Sequence, residues 1–497
     1  MYPCTAVIDI GSNSARLVIY QKSSQYGFHL ICERKSKVRI GEGAYQAKGY
    51  LQPIGINRAY LALKEFITTT KNYPVSQIIC VATSALRDAP NGKDFTKWIK
   101  KELNLDIKII DGKKEALFGA IGAINLLPIQ NGITIDIGGG SSDLALIKNS
   151  KIIDTYSLNL GTVRLKELFF DKNIAIEEVN DFIKVELEAL PSHFKSKQAI
   201  GIGGTARTLS KGIMKATEYP LEIIHAFSYK IDEYYNYFEN ISQAKIELLP
   251  YLHIPKGRFD TIREGTLIWQ NILKAIGAKK VITSGVGVRE GVFLHNFLKD
   301  DNFMFPKDIN PSIKSILNRF QSNTIYTKER EINTLKLFKL FVKEKNLPKK
   351  YKKELLYAIQ LSSIGYRFNI YQAYQHTFYV TMQELNYGIT HKELLLTAMI
   401  LRFGGKGLYE KETYKEYKRL LPKKETLGYL SFIYTIITIL FDKTAIKNFD
   451  FELENNKLTI IANGSLYLAK EKLEEIERPK GLELKIIDKK EIPSYNF

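Results

Sequence analysis

At 497 residues and 56.9 kDa, 45% hydrophobic and 25% charged, the chain has room for about three or four packed domains and is too apolar for a disordered or fibrous protein. Its net charge of +19 (pI ≈ 9.4) is uneven: +13 over residues 306–449, −2 over residues 450–497 and +8 over residues 1–305. Such a field attracts polyanions, although a Lys-rich solvated surface gives the same sum.

In chain order, Thr5 to Ile19 reads as a strand, a small-residue turn and a second strand, with Asp9 where the first strand leaves the sheet and Gly11, Ser12, Asn13 and Ser14 in the turn. Ile78 to Ala89 is a strand ending in Thr83 and Ser84, followed by a helix start that carries Arg87. Ile107 to Ala116 is a strand, a turn at Gly112 and a first helical turn containing Glu115. Ile133 to Ile147 repeats the opening pattern: Asp136 ends a strand, Gly138, Gly139, Gly140, Ser141 and Ser142 form the turn, and Asp143 opens the return. At a fixed offset Ile8, Asp9, Ile10, Gly11, Ser14 and Leu17 meet Ile135, Asp136, Ile137, Gly138, Ser141 and Leu144, so two copies of one half-domain are expected to face each other across a cleft.

The residue types carry the chemistry. Glycines with Ser and Asn aim backbone N–H groups at phosphate oxygens, and a carboxylate beside such a nest makes sense when Mg²⁺ bridges the two. Two further Gly-rich turns follow buried strands. Gly203, Gly204 and Thr205, and the turn Gly285–Gly291, could each place amides and a helix N-terminus against phosphate or a nucleotide, or could serve only helix–strand packing. Arg258, in Pro255-Lys256-Gly257-Arg258, is a further candidate for a phosphate contact.

Five segments in this order (Asp9 to Ser14, Thr83 to Arg87, Gly112 to Ala116, Asp136 to Ser141, Gly203 to Thr205) resemble the exopolyphosphatase/guanosine pentaphosphate phosphohydrolase (Ppx/GppA) family of the actin/Hsp70/sugar-kinase superfamily. The likeness covers roughly residues 4–300. It implies an α/β fold of two actin-like (ribonuclease H-like) domains, 1–125 and 126–305, around a cleft. It also implies hydrolysis of a terminal phosphoanhydride in polyphosphate or pppGpp, with Mg²⁺ or, in its place, Mn²⁺. Glu115 matches the family's catalytic glutamate, and Asp9, Asp136 and Asp143 its acidic metal-side positions. The glycine turns with Ser12–Ser14, Ser141 and Arg87 match its phosphate contacts, and Arg16 lies in the first motif within reach of phosphate. Asp143 stands where the family usually has Glu, and Lys114 where it often has a second Glu; neither change removes a required group. Glu115 in a first helical turn is expected to be ionised, favoured by the helix dipole.

Long members of the family carry a helical HD-type domain next, expected here over 306–449 as amphipathic helices with Tyr interleaved. Ser362-Ser363 stands at the apparent His-Asp position, and hydroxyls are poor substitutes for imidazole and carboxylate, so an HD-like fold without metal is expected. Its Lys-rich face is expected to guide a long polyanion or to build a homodimer. Thr426 to Phe441 is shorter than the ~20 residues of a spanning helix and is read as a buried helix, with no membrane. A small α+β tail over 450–497 completes the chain. Cys4, Cys32 and Cys80 offer neither a metal-ligand spacing nor a disulfide framework, and no signal or transit peptide is visible, so a cytoplasmic location is expected.

Three other readings compete. A phosphotransferase of the same superfamily shares the turns, but no acceptor-sugar motif is evident. A non-catalytic polyphosphate or alarmone sensor is at odds with Glu115, Asp9 and Asp136. Nucleic-acid binding lacks any helix-turn-helix or RNA-module signature.

Overall fold

A computed structural model describes residues 3–44, 46–320, 327–404 and 407–488. Parts of the expected helical domain (321–326, 405–406) and of the tail (489–497) lie outside the described residues. The chain divides into two compact units between Pro311 and Ser312, a few residues beyond the expected boundary at 305.

The first unit is built on two sheets of like topology. One has the order β3-β2-β1-β4-β5, from β1 (Cys4–Ile10), β2 (Ala15–Lys22), β3 (Phe28–Ser36), β4 (Val75–Ala82) and β5 (Ile107–Ile109). The other contains β6 (Gly132–Ile137), β7 (Ser142–Lys148), β8 (Lys151–Leu158), β9 (Gln198–Ile202), β10 (Ser228–Lys230) and β11 (Lys280–Thr283), in the order β10-β11-β9-β6-β7-β8. In each, a meander of three antiparallel strands is extended by parallel strands on the side of its first strand (β1–β4–β5 and β6–β9–β11), and β10 closes the second sheet's edge. The internal repeat is therefore a repeat of topology. Apolar runs such as Ala6–Ile8 and Ile133–Ile135 are buried because helices cover the sheets. Helices Pro53–Thr70 and Gly92–Leu103 bury Leu63, Phe66, Phe95 and Ile99 in the first core, and helix Ile262–Ile276 buries Ile268, Trp269 and Ile272 in the second.

The helix Gly112–Leu126, expected to end the first half-domain, packs instead with the second sheet. Ala116, Ala120 and Ala123 share a core with Ala145, Ile147, Ile200 and Ile202. Small side chains give that face close access to the sheet, and this outweighs adjacency in the chain. Helix Val288–Phe297 returns toward the first lobe, where Phe293 stacks on Tyr20 at 4.3 Å and Tyr20 Oη donates to Glu290 at 2.9 Å.

One buried acid in the second core makes a stability prediction. Glu264, in the first turn of helix Ile262–Ile276, is 1% exposed and its Oε2 has no hydrogen-bond partner among the described residues. Burial raises its carboxyl from 4.5 to about 7. A group that holds its proton more tightly when folded contributes its stability fully below pH 4.5 and loses it as pH rises through about 7. Glu264→Gln should therefore stabilise the first unit above pH 8 by up to about 3 kcal/mol and flatten that part of the profile. Denaturation midpoints from pH 5 to 9 check this; parallel profiles for both proteins would refute it.

The second unit is helical over Thr327–Glu344, Lys352–Leu361, Ala373–Glu384, His391–Phe403 and Lys424–Lys443. A three-stranded sheet follows, β12 (Asp450–Glu454), β13 (Lys457–Ala462) and β14 (Glu483–Asp488), in the order β12-β13-β14, with helix Tyr467–Glu474 between the last two. Among the described residues one helix, Lys424–Lys443, is long and apolar enough to cross a membrane by length and composition, and 72% of its apolar window is buried inside the unit. Leu427, Leu430, Phe432, Ile433, Ile436 and Leu440 make it part of the core.

Candidate active site

The two hairpin turns are built alike and face each other. In the first, Gly11 N donates to Ser14 O at 3.1 Å; in the second, Gly138 N donates to Ser141 O at 2.9 Å. A Cβ on Gly139 would lie 2.6 Å from that of Ser12, so only glycine lets the turns approach this closely. Ser12 Oγ lies 3.2 Å from Ser84 Oγ, which ties the first turn to the end of β4.

The cavity between the lobes is lined by Asp9, Gly11, Ser12, Asn13, Ser14, Arg16, Thr83, Ser84, Glu115, Asp136, Gly138, Gly139, Gly203, Gly204 and Arg258, all expected at the site from sequence. Asp136 sits over the third turn. Gly203 has φ +80°, and a Cβ there would come within 2.2 Å of Asp136 Oδ1, so an L side chain is excluded by both backbone and space. Arg258 lies against Gly204, and its Nε is buried without a partner among the described residues.

Other expected residues stand behind this lining. Asp143 is 2% exposed, with Oδ1 accepting from Ser157 Oγ at 2.5 Å and Oδ2 from Ser141 Oγ at 3.3 Å. Ser142 spends its hydroxyl on Leu160 O at 2.6 Å, and Thr205 is buried. Gly140 does not line the cavity; its carbonyl accepts from Arg164 Nε at 2.9 Å. Arg87 backs the site, its Nη1 lying 3.5 Å from Glu115 Oε2 and 3.3 Å from Ile110 O. The repeat explains one asymmetry. Arg16 stands opposite Asp9 across the first hairpin, as Asp143 stands opposite Asp136 across the second. One aspartate faces a cation, its counterpart an acid.

Glu115 departs from expectation. Asp111 caps its helix, accepting from Lys114 N at 2.7 Å, and places Glu115 in the first turn. The helix dipole there is worth about 0.3–1 kcal/mol. Burial, then the charges of Asp143, Asp136 and Asp9, outweigh it and push the carboxyl well above its ordinary value. Burial likewise lifts Asp9 to about 6 and Asp143 to about 7, and raises Asp136. A nearby cation would restore the ionised forms.

Several cavity residues were not singled out from sequence. Lys35, Lys37, Arg207 and Arg289 join Arg16 and Arg258, so six basic side chains line it against three carboxylates. Arg207 is fixed by Ser284 O (2.9 Å) and Val286 O (3.0 Å). Arg16 and Arg289 share Glu33 at 3.2 and 3.1 Å. Arg289 follows Gly287 in the fourth Gly-rich turn, a signal that was present; Lys35 reaches the site only because β3 pairs it with Arg16, which no local pattern reveals.

Among the described residues no three His, Cys, Asp or Glu side chains converge closely enough to hold a metal ion by themselves, so Asp9, Asp136 and Asp143 do not form a closed ligand set. The donors nevertheless fit Mg²⁺. That ion keeps several waters and commonly takes one or two carboxylates plus substrate phosphates, and Asp9 and Asp136 are partly buried carboxylates beside phosphate-type turns.

Residues 18–300, more than half of the chain, match the model of the Ppx/GppA phosphatase family. The chain belongs to the Ppx/GppA family. It is 32% identical over 300 residues to a bifunctional 3-dehydroquinate synthase/phosphatase of Fusobacterium nucleatum, an alignment that covers 56% of this chain and only 44% of that protein. It is 24% identical over 388 residues to a guanosine-5'-triphosphate,3'-diphosphate pyrophosphatase of Aeromonas hydrophila, covering 76% of each. A Ppx/GppA family member from Aquifex aeolicus superposes with a TM-score of 0.52 at 28% identity, over 60% of this chain and 99% of that one. An exopolyphosphatase of Cytophaga hutchinsonii shares the fold, with a TM-score of 0.54 at 24% identity over 59% of this chain and 97% of its own. The first unit thus has the two-lobed, actin-like α/β fold of the Ppx/GppA family.

Proposed function

We propose that this chain is an Mg²⁺-dependent phosphoanhydride hydrolase that releases terminal orthophosphate from inorganic polyphosphate, converts pppGpp to ppGpp, or does both. The observation that carries this reading is the carboxylate of Glu115 beside two facing phosphate turns, in a cavity that six basic side chains also line. Relatives named for pppGpp and polyphosphate chemistry support the substrate class.

Phosphoanhydride hydrolysis needs positioning, charge neutralisation and an aimed water more than a covalent nucleophile. The amides of the Ser12–Ser14 and Gly138–Gly139 turns receive the terminal phosphoryl group. Arg16, Arg258 and Arg289 offset the charge of the phosphates behind it. Asp9 and Asp136, with Asp143 behind them, would hold Mg²⁺, which would supply further neutralisation when bound. Glu115, backed by Arg87, orients the water and takes its proton; the shortened phosphate chain leaves. With H₂¹⁸O, the label should appear in released orthophosphate and not in the shortened product. Phosphate transferred to an added acceptor would favour the kinase reading instead.

The helical part of the second unit is assigned an HD-like fold without metal, supported by the helices around Ser362-Ser363. Its basic surface, +13 over residues 306–449, suits it to guide a long polyanion or to build a homodimer. Removing residues 312–497 should lower kcat/KM for long-chain polyphosphate at least about tenfold more than for pppGpp, a gap of about 1.4 kcal/mol. Steady-state assays on both substrates check this; equal losses would make the second unit purely structural.

A further inference from the structure

The second unit holds a cavity of ≈ 260 Å³ that the proposed reaction does not use. Ser362, which the family resemblance puts at a metal-ligand position, is part of its lining. Arg330 lies beside it, donating from Nη2 to Asp442 Oδ1 at 2.6 Å and from Nη1 to Ser362 Oγ at 3.3 Å. Tyr366 Oη donates to the other oxygen of Asp442 at 3.3 Å. Both oxygens of that carboxylate are thereby occupied and its charge is met by a guanidinium. The one carboxylate in the lining is thus already committed, and an anion is the better-matched guest.

The remaining lining says what kind of anion. Lys443 and Lys472 add two positive charges at the mouth, and Arg330 Nε is buried with no acceptor among the described residues. Lys472 also reaches Glu475 at 2.7 Å, but that pair is largely exposed and weak. One wall is aromatic and apolar. Tyr366 and Ile370 line the cavity and are 50% and 69% exposed, and Phe368 and Tyr371 beside them are 54% and 80% exposed. Solvent-facing rings next to lysines are the combination that stacks a base while neutralising phosphates. The volume lies just below the usual range of ligand pockets, about 300–1,000 Å³, enough for part of one small molecule rather than a polymer.

We infer that this cavity binds a nucleoside phosphate, with Lys443 and Lys472 on its phosphates and Tyr366 against its base. The site is independent of the cleft in the first unit, and its occupancy does not depend on the reaction proposed there. Photolabelling of the full chain with 8-azido-ATP and 8-azido-GTP, followed by peptide mapping, tests it. The label should fall within residues 362–374 or 434–443, and whichever purine labels better identifies the preferred base. Excess unmodified nucleotide should displace it and equimolar orthophosphate should not. Lys443→Ala with Lys472→Ala, both at exposed positions, should lower labelling at least tenfold without loss of fold. Labelling confined to residues 1–311, displacement by orthophosphate alone, or an undiminished signal in the double variant would each overturn the inference.

Discussion

Glu115→Gln should lower kcat for phosphate release by roughly 10²–10⁴-fold, the usual contribution of a positioned general base, with KM little changed. The amide keeps the shape of the side chain and a contact for Arg87 but cannot take a proton from water. The same change removes a negative charge from a desolvated site shared with Asp143, Asp136 and Asp9, so the variant should be more heat-stable while nearly inactive. Single-turnover phosphate release, equilibrium binding of a substrate and a melting curve together separate these effects. Retained turnover would mean that another group directs the water, and a fall in stability would mean that Glu115 is a structural acid.

The second large effect is expected at Asp136. Its carboxylate lies over Gly203 at the mouth of the third turn, faces the cavity, and is raised by burial against the lowering influence of Arg207, Arg289 and Arg16. Asp136→Asn keeps the volume, so the turn at Gly203 should survive. Turnover at saturating Mg²⁺ should fall, and the half-saturating Mg²⁺ concentration should rise roughly 10–100-fold, as when a metal-site partner is removed. A Mg²⁺ titration of the initial rate reads both quantities. An unchanged half-saturating concentration would reduce Asp136 to a packing residue.

What the sequence made legible follows a physical division. Asp9 and Asp136 were readable because each ends an apolar run and precedes a Gly-rich turn, and the repeat doubles the signal. The nest at Gly203–Gly204 was readable as a turn, but its closeness to Asp136 was not, because it depends on how β6 and β9 pair. Lys35 stands opposite Arg16 through the β2–β3 register, a long-range fact without local trace. The opposition to the helix dipole at Glu115 has no local trace either, because the three acids that raise its carboxyl come from β1, β6 and β7. Helix Gly112–Leu126 follows the first sheet in the chain yet packs with the second, since its small face fits there. In the second unit, that Arg330 from another helix donates to Ser362 needed the fold, because the two stand 32 residues apart in the chain.

The most direct test is orthophosphate release by the purified full-length protein with Mg²⁺, comparing long-chain polyphosphate, pppGpp, GTP and ATP in parallel. Rapid, Mg²⁺-dependent release from polyphosphate or pppGpp, abolished in Glu115→Gln, is the expected result. Tight binding of these polyanions with no release from any of them would contradict it and make the cleft a sensor.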